Sequence, residues 1–269
     1  MWDPEGRKAV AKVIFFFGTA RLSGKSCSRL FSLFRLSLLG LEVFLKLKMQ
    51  NIMKLKAIIV MFVALAYVSV SYAQDWAKFG RYQEQNVQVG ARPRAVFMGD
   101  SITDNWAKKD GDFFADNNFL GRGISGQTTS HMLVRFRRDV IDLGPKYVVI
   151  LAGTNDIAKN NGDISLENIL GNIISMCELA KANRIRPVLC SVLPAAAYRW
   201  RPAVRPAEDI VKLNEMIRSY AEENRIPYVD YHSVLKDDQG GLPMEHAADG
   251  VHPNLDCYKI MEKIILRYL

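Results

Sequence analysis

The sequence predicts an α/β fold built on a five-stranded parallel sheet, and three observations predict it. Short apolar runs alternate with longer segments that are apolar on one helical face. The runs are unbroken, as expected of strands covered on both sides by right-handed crossover helices. Clusters of glycine and hydroxyl residues follow the first three runs, where turns leave a sheet.

Each element has its own signal. Residues 75–92 are polar with scattered aromatics and predict a helix and a loop leading into the core. Residues 94–98 form the first expected strand, and 118–122 a short second one. Residues 128–141 carry Met132, Leu133, Phe136, Val140 and Ile141 at helical spacing. Pro145 precedes a third strand over 146–152. Ser165 is an expected N-cap, with Leu166, Ile169, Leu170, Ile173 and Cys177 on the face that follows. A fourth strand is expected over 187–193. Pro206 opens a helix striped by Ile210, Leu213, Ile217 and Tyr220. A fifth strand over 226–230 and a closing helix over 255–269, bearing Ile260, Ile264, Ile265 and Leu269, complete the domain. No internal repeat or low-complexity tract interrupts it.

Charge divides the chain differently. Residues 1–56 hold 11 basic and 3 acidic residues, and the remaining 213 hold 25 of each. The net charge of +8 therefore belongs to the leader. The near-neutral remainder gives no reason to expect a nucleic acid partner. Residues 57–74 are uncharged, follow Lys54 and Lys56, and close with Ser71-Tyr72-Ala73. That pattern predicts a secretory signal over 53–73, cleaved after Ala73, and so a secreted or periplasmic protein. The competing expectation is an uncleaved segment just long enough to span a bilayer. Residues 1–52 match no domain, and a start at Met49 or Met53 accounts for them most simply. A true extension lying on a membrane around residues 30–48 is the alternative. A single folded domain is expected over 74–269. Three cysteines, Cys177, Cys190 and Cys257, follow the expected cleavage point, an odd number without paired spacing. Cys177 and Cys190 sit in apolar runs and read as small core residues.

The chemistry gathers at the strand ends. In parallel sheets, ligands bind beyond the carboxyl edge. Gly99-Asp100-Ser101 follows the first strand, Gly123-Ile124-Ser125-Gly126 the second, and Gly153-Thr154-Asn155-Asp156 the third. A serine hydroxyl needs a neighbouring base to act as a nucleophile. His252 is the candidate, and Asp249, three residues earlier, is placed to orient its imidazole. The backbone N–H groups of Ser101 and Gly126 and the Asn155 amide would serve as oxyanion donors. Gly123 competes with Gly126 for that role on spacing alone.

These blocks resemble the four signature blocks of the SGNH, or GDSL, hydrolase family. They are Gly99-Asp100-Ser101-Ile102, the glycine of Ile124-Ser125-Gly126, Gly153-Thr154-Asn155-Asp156 and Asp249-x-x-His252-Pro253. They occur in the family's order, and the resemblance covers residues 93–266. It implies a three-layer, flavodoxin-like sandwich and ester hydrolysis through an acyl-enzyme, with no metal and no cofactor. It implies Ser101 as nucleophile, Asp249 and His252 as the rest of the triad, and Gly126 and Asn155 as oxyanion donors. Ile102 stands where the family's name has Leu, a mild change.

Plainer readings exist for each residue. Taken alone, Ser101 reads as a helix cap, and Asp100 and Asn155 as turn residues; the other blocks weigh against that for Ser101. Asp156 reads as loop support, Trp106 as core, and His131 and His232 as structural or exposed. His246, Asp249 and His252 have the chemistry of metal ligands, but a metal site leaves Ser101 and Asn155 without a purpose. A flavin-binding module shares the architecture but has no use for a distal Asp-x-x-His. Tyr198, Arg199, Trp200 and Arg201 follow the fourth strand and are read either as a sugar-stacking, acid-binding loop or as aromatics packed on the body. The expected partner is a small-molecule or glycan ester, with the membrane met only through the N-terminal segment. Removal of a small acyl group such as acetyl from a carbohydrate is the leading expectation. A lysophospholipase or acyl-thioesterase is the second, and a non-catalytic carbohydrate-binding protein the third.

Overall fold

The computed structural model describes residues 24–269, with side chains over 38–63 and 75–269. The chain divides into two units, Met1–Ser71 and Tyr72–Leu269. Helix α1, Gly24–Gln74, carries exposed apolar side chains such as Phe44, Val60 and Phe62. Among the described residues, no helix is long and apolar enough to cross a membrane. Of the segments read as leader and signal, residues 1–23 lie outside the described residues, as do the side chains of Ser71 to Ala73.

The second unit begins with a 3₁₀ turn, Phe79–Tyr82, and the short helix α2, Gln83–Val87. The strands are β1 Ala95–Gly99, β2 Phe119–Gly123, β3 Tyr147–Leu151, β4 Arg186–Cys190 and β5 Tyr228–Val229. All pairings are parallel, in the order β2-β1-β3-β4-β5. The helices are α3 Ser101–Lys109, α4 Gly111–Asp116, α5 Thr129–Asp139, α6 Thr154–Ile157, α7 Leu166–Ala182, α8 Pro206–Glu223, α9 Tyr231–Leu235 and α10 Leu255–Ile265.

Alternate strand residues feed opposite cores. Val96, Met98, Val148, Ile150 and Leu189 pack with residues of α5, α7 and α8. Ala95, Phe97, Val149, Leu151, Val188 and Cys190 pack with residues of α3, α4, α9 and α10. This is the expected three-layer sandwich. Cys177, Cys190 and Cys257 are free and buried. The sheet reverses its order around β1, which pairs with both β2 and β3, so a crevice opens beyond their carboxyl ends.

Where elements differ from expectation, a side chain or a cap is responsible. Gly99 stays in the ladder, opposite Gly123 and Leu151, so β1 runs one residue further than 94–98 suggests. The fourth strand stops at Cys190 because Asn214 substitutes for a strand partner. Its Oδ1 accepts from Val192 N at 2.7 Å, and its Nδ2 donates to Val192 O at 3.0 Å. The fifth is cut to two residues by Asp230, whose carboxylate caps α9 through Ser233 N at 3.0 Å. Helices α3 and α4, absent from the sequence reading, start at two Asp caps. Asp100 accepts from Ile102 N at 2.9 Å and Asp110 from Phe113 N at 3.3 Å.

The close approach of α3 to β2 depends on Gly123. A Cβ there would lie 2.2 Å from Asp104 N and 2.6 Å from Asp100 O, both backbone atoms that cannot swing away. Gly123→Ala should therefore destabilise the domain by about 1–3 kcal/mol or more through overpacking. Chemical denaturation checks it, and an unchanged midpoint would contradict the close packing.

Candidate active site

Ser101 is the first residue of α3, directly behind β1, and is 9% exposed. As the first residue of a helix, it has a backbone N–H with no intrahelical acceptor. Its Oγ lies 2.8 Å from His252 Nε2. Asp249 Oδ2 lies 2.6 Å from His252 Nδ1, while Asp249 Oδ1 accepts from the backbone N–H groups of His252 at 2.8 Å and Val251 at 3.0 Å. Burial pushes the Asp249 carboxyl up. The His252 N–H, the imidazole and the Val251 N–H outweigh it and hold the group down at about 2. The carboxylate is thus ionised at every pH near neutrality, ready to steady a positive imidazole.

His252 is fixed against Ser101 by the helix that follows it. Asn254 caps α10 by accepting from Cys257 N at 3.0 Å. Tyr258 Oη then donates to Ile102 O at 2.7 Å, and Lys109 Nζ donates to Pro253 O at 2.7 Å. Trp106, buried as expected, stacks on Tyr258 with centroids 5.3 Å apart.

The other strand ends bring a turn and a side-chain amide to the same edge. Ile124 to Gln127 is a turn closed by Gln127 N donating to Ile124 O at 3.2 Å. Gly126, its third residue, has φ +83°, which a type II turn requires and glycine adopts without strain. Ser125 Oγ donates to Asp104 Oδ2 at 2.8 Å, tying this turn to α3. Asn155, in α6 behind β3, is buried and donates from Nδ2 to Gln127 O at 3.0 Å.

With the hydroxyl, imidazole, carboxylate and amide converging on one crevice, comparison with known proteins becomes decisive. The model of the GDSL-like lipase/acylhydrolase family matches residues 97–260. The chain belongs to this family.

This family member is 46% identical to a proposed acylhydrolase of Bacteroides fragilis, with a TM-score of 0.70, over 72% of this chain and 96% of that one. A GDSL-like lipase of Bacteroides thetaiotaomicron gives 45% identity and a TM-score of 0.69, over 71% and 97%. An uncharacterized lipoprotein of Bacillus subtilis is 27% identical over 48% of this chain and 61% of its own length. The chain spans less than two thirds of the curated relatives it matches. An acetylxylan esterase of Geobacillus stearothermophilus, 20% identical, shares the fold at a TM-score of 0.53, over 66% of this chain and 94% of that one.

The loop after β4 is split in two by the structure. Tyr198 is fully buried, which removes it from any role in stacking on a sugar; its ring instead supports Trp200, with centroids 5.0 Å apart. Trp200 is 41% exposed, with its ring centroid 6.2 Å from that of His252. Arg199 Nη2 donates to Ala248 O at 2.9 Å, beside Asp249, and Arg201 is exposed. The sequence reading missed Asp104, Gln127, Arg135 and Asn160, which hold the site from behind. Nothing in their local pattern marks them, because each acts on a partner that only the fold brings near.

Asp156 is the loop support expected of it. It accepts from Thr129 N at 2.9 and 3.1 Å and from Thr129 Oγ1 at 2.7 Å. Burial nevertheless pushes its carboxyl up from 3.8 to about 6. A raised folded value means that this group's stabilising effect is full below pH 3.8 and lost as the pH rises through about 6. Asp156→Asn removes that titration. The stability of the variant relative to the parent should rise between about pH 4 and 6, by about 1–3 kcal/mol, and then level off. Melting temperatures across that range check it, and a constant difference would refute it.

Proposed function

We propose that this chain is an exported serine esterase that removes small acyl groups, acetyl above all, from a carbohydrate through an acyl-enzyme. The observation that carries the reading is the unbroken line from Ser101 Oγ through His252 to Asp249, at 2.8 and 2.6 Å. As the Ser101 oxygen bonds to the ester carbonyl carbon, His252 Nε2 takes its proton. Asp249 holds Nδ1–H and balances the imidazolium. Negative charge on the carbonyl oxygen is met by the N–H groups of Ser101 and Gly126 and by Asn155 Nδ2. The tetrahedral species collapses, the C–O bond to the alcohol breaks, and His252 returns the proton to that oxygen. Water then attacks the acyl-serine by the same route in reverse.

Two features support the substrate class. Trp200 presents an exposed aromatic face next to the imidazole, where a sugar carrying the ester would stack, and Arg201 stands exposed beside it. The acetylxylan esterase of like fold acts on a substrate of this kind. Export is supported by the uncharged run behind Lys54 and Lys56 and by the lipoprotein relative.

Ser101→Ala should lower turnover of p-nitrophenyl acetate by roughly 10⁴ or more with the circular dichroism spectrum unchanged. Full activity in the variant would remove Ser101 as nucleophile. The same assay across acyl lengths should favour acetate over octanoate by roughly tenfold or more. The opposite order would move the reading to a lysophospholipase or acyl-thioesterase.

A further inference from the structure

Behind the Asn155 amide runs a chain of hydrogen bonds that ends at the exposed indole. Asn155 Nδ2 donates to Gln127 O at 3.0 Å, Asn160 Nδ2 donates to Asn155 Oδ1 at 2.6 Å, and Trp200 Nε1 donates to Asn160 Oδ1 at 3.0 Å. The direction of this chain is fixed at both ends. The Gln127 carbonyl only accepts and the indole N–H only donates, so both amides between them have one permitted orientation. That orientation turns the nitrogen of Asn155, not its oxygen, toward Gln127. One N–H of the pair is used there, and the second remains for the crevice. A flipped amide would present an acceptor to a developing oxyanion, reversing the sign of its contribution.

We infer that Asn160 and Trp200 are positioning residues: through the Trp200–Asn160–Asn155 relay, the loop after β4 sets the orientation of the oxyanion amide. The inference rests on the reading of Asn155 as an oxyanion donor. Backbone geometry reinforces the relay, because Asn160 N also donates to Asn155 O at 3.0 Å and closes the loop between them. Arg199 anchors the same loop to Ala248, so the segment that orients the amide is joined to the one that carries Asp249 and His252. Trp200 therefore has two contacts with the site, its ring face beside the imidazole and its N–H on the relay.

The test measures kcat and KM for p-nitrophenyl acetate in Asn155→Ala, Asn160→Ala, Asn160→Asp and Trp200→Phe, and in the double variants with Asn155→Ala. Losing the oxyanion amide itself should cost about 10²–10³ in kcat. Asn160→Asp keeps the acceptor for the indole and loses the donor to Asn155. Trp200→Phe keeps an aromatic face and loses the N–H. Each of the Asn160 and Trp200 variants should lose roughly 3- to 30-fold in kcat with KM within about twofold, the mark of an interaction made in the transition state. In the Asn155→Ala background those losses should vanish, since no amide remains to be oriented. If Asn155→Ala is impaired while the Asn160 and Trp200 variants match the parent, the relay is overturned and the oxyanion reading stands. If Asn155→Ala keeps full activity, the oxyanion reading itself fails. If Trp200→Phe loses as much in the double variant as alone, Trp200 acts on the substrate directly and the relay is overturned. Should Asn160→Ala fail to fold, Asn160→Asp and Trp200→Phe carry the same test.

Discussion

A guanidinium with no access to solvent lies directly behind the crevice. Arg135, on α5, is fully buried, and such a charge is tolerated only when its N–H groups are met. Its Nη1 donates to Asp139 Oδ2 at 2.9 Å, its Nε to Gln127 Oε1 at 2.6 Å and its Nη2 to Gly99 O at 3.0 Å. Gly99 ends β1 and leads into Ser101, while the backbone carbonyl of Gln127 receives Asn155. One cation thus joins the end of the first strand, the turn after the second and, through Gln127, the amide behind the third. Removing any one acceptor would leave buried charge unmet, so the three segments hold their positions together. Asn86 extends this frame by donating to Asp139 Oδ1 at 2.9 Å and accepting from Arg122 Nε at 2.9 Å.

That frame fixes Ser101, the turn that carries Gly126, and Asn155, but not His252, which lies 151 residues after the serine. The second constraint is the contact between α3 and α10, where Tyr258 and Trp106 stack and Tyr258 reaches the Ile102 carbonyl. Trp106 Nε1 also donates to Glu262 Oε1 at 3.1 Å, so the helix behind His252 is held at two levels of α3. An aromatic interface of this kind is stiff, because rings have few rotamers and close neighbours. It holds steady the single 2.8 Å contact between Ser101 Oγ and His252 Nε2.

The strands were legible because they are buried on both faces and so read as unbroken apolar runs. Ser101 was legible because a buried strand running through a glycine into a serine sets that hydroxyl at a sheet edge. The pair Asp249 and His252 was legible because both residues lie in one short turn. Arg135 was not, because on a helix with an apolar stripe an arginine looks like part of the solvent face. Only the placement of Gly99, Gln127 and Asp139 around it reveals otherwise. The end of β4 was hidden for a related reason. Residues 191–193 remain buried, two of them apolar, but Asn214, from α8, takes the ladder's place at Val192. Tyr198 and Trp200 were inseparable in sequence because an irregular loop has no period to say which ring faces inward.

The two glycines of the second block show how packing decides what spacing leaves open. Gly123 is committed twice over. Its carbonyl accepts from the Tyr82 hydroxyl, and its Cα is pressed against the backbone of α3. Its lack of a side chain is needed for that approach, whatever reaction the crevice supports. Gly126 has the opposite surroundings: a Cβ there would meet nothing within 4 Å, and the residue is exposed. Sterics do not demand a glycine at that point, but the backbone does, at φ +83°. The turn that Gly126 completes is tied to α3 through Ser125 and Asp104. Of the two, Gly123 is therefore explained by its packing against α3, and Gly126 by the backbone of the turn at the sheet's carboxyl edge.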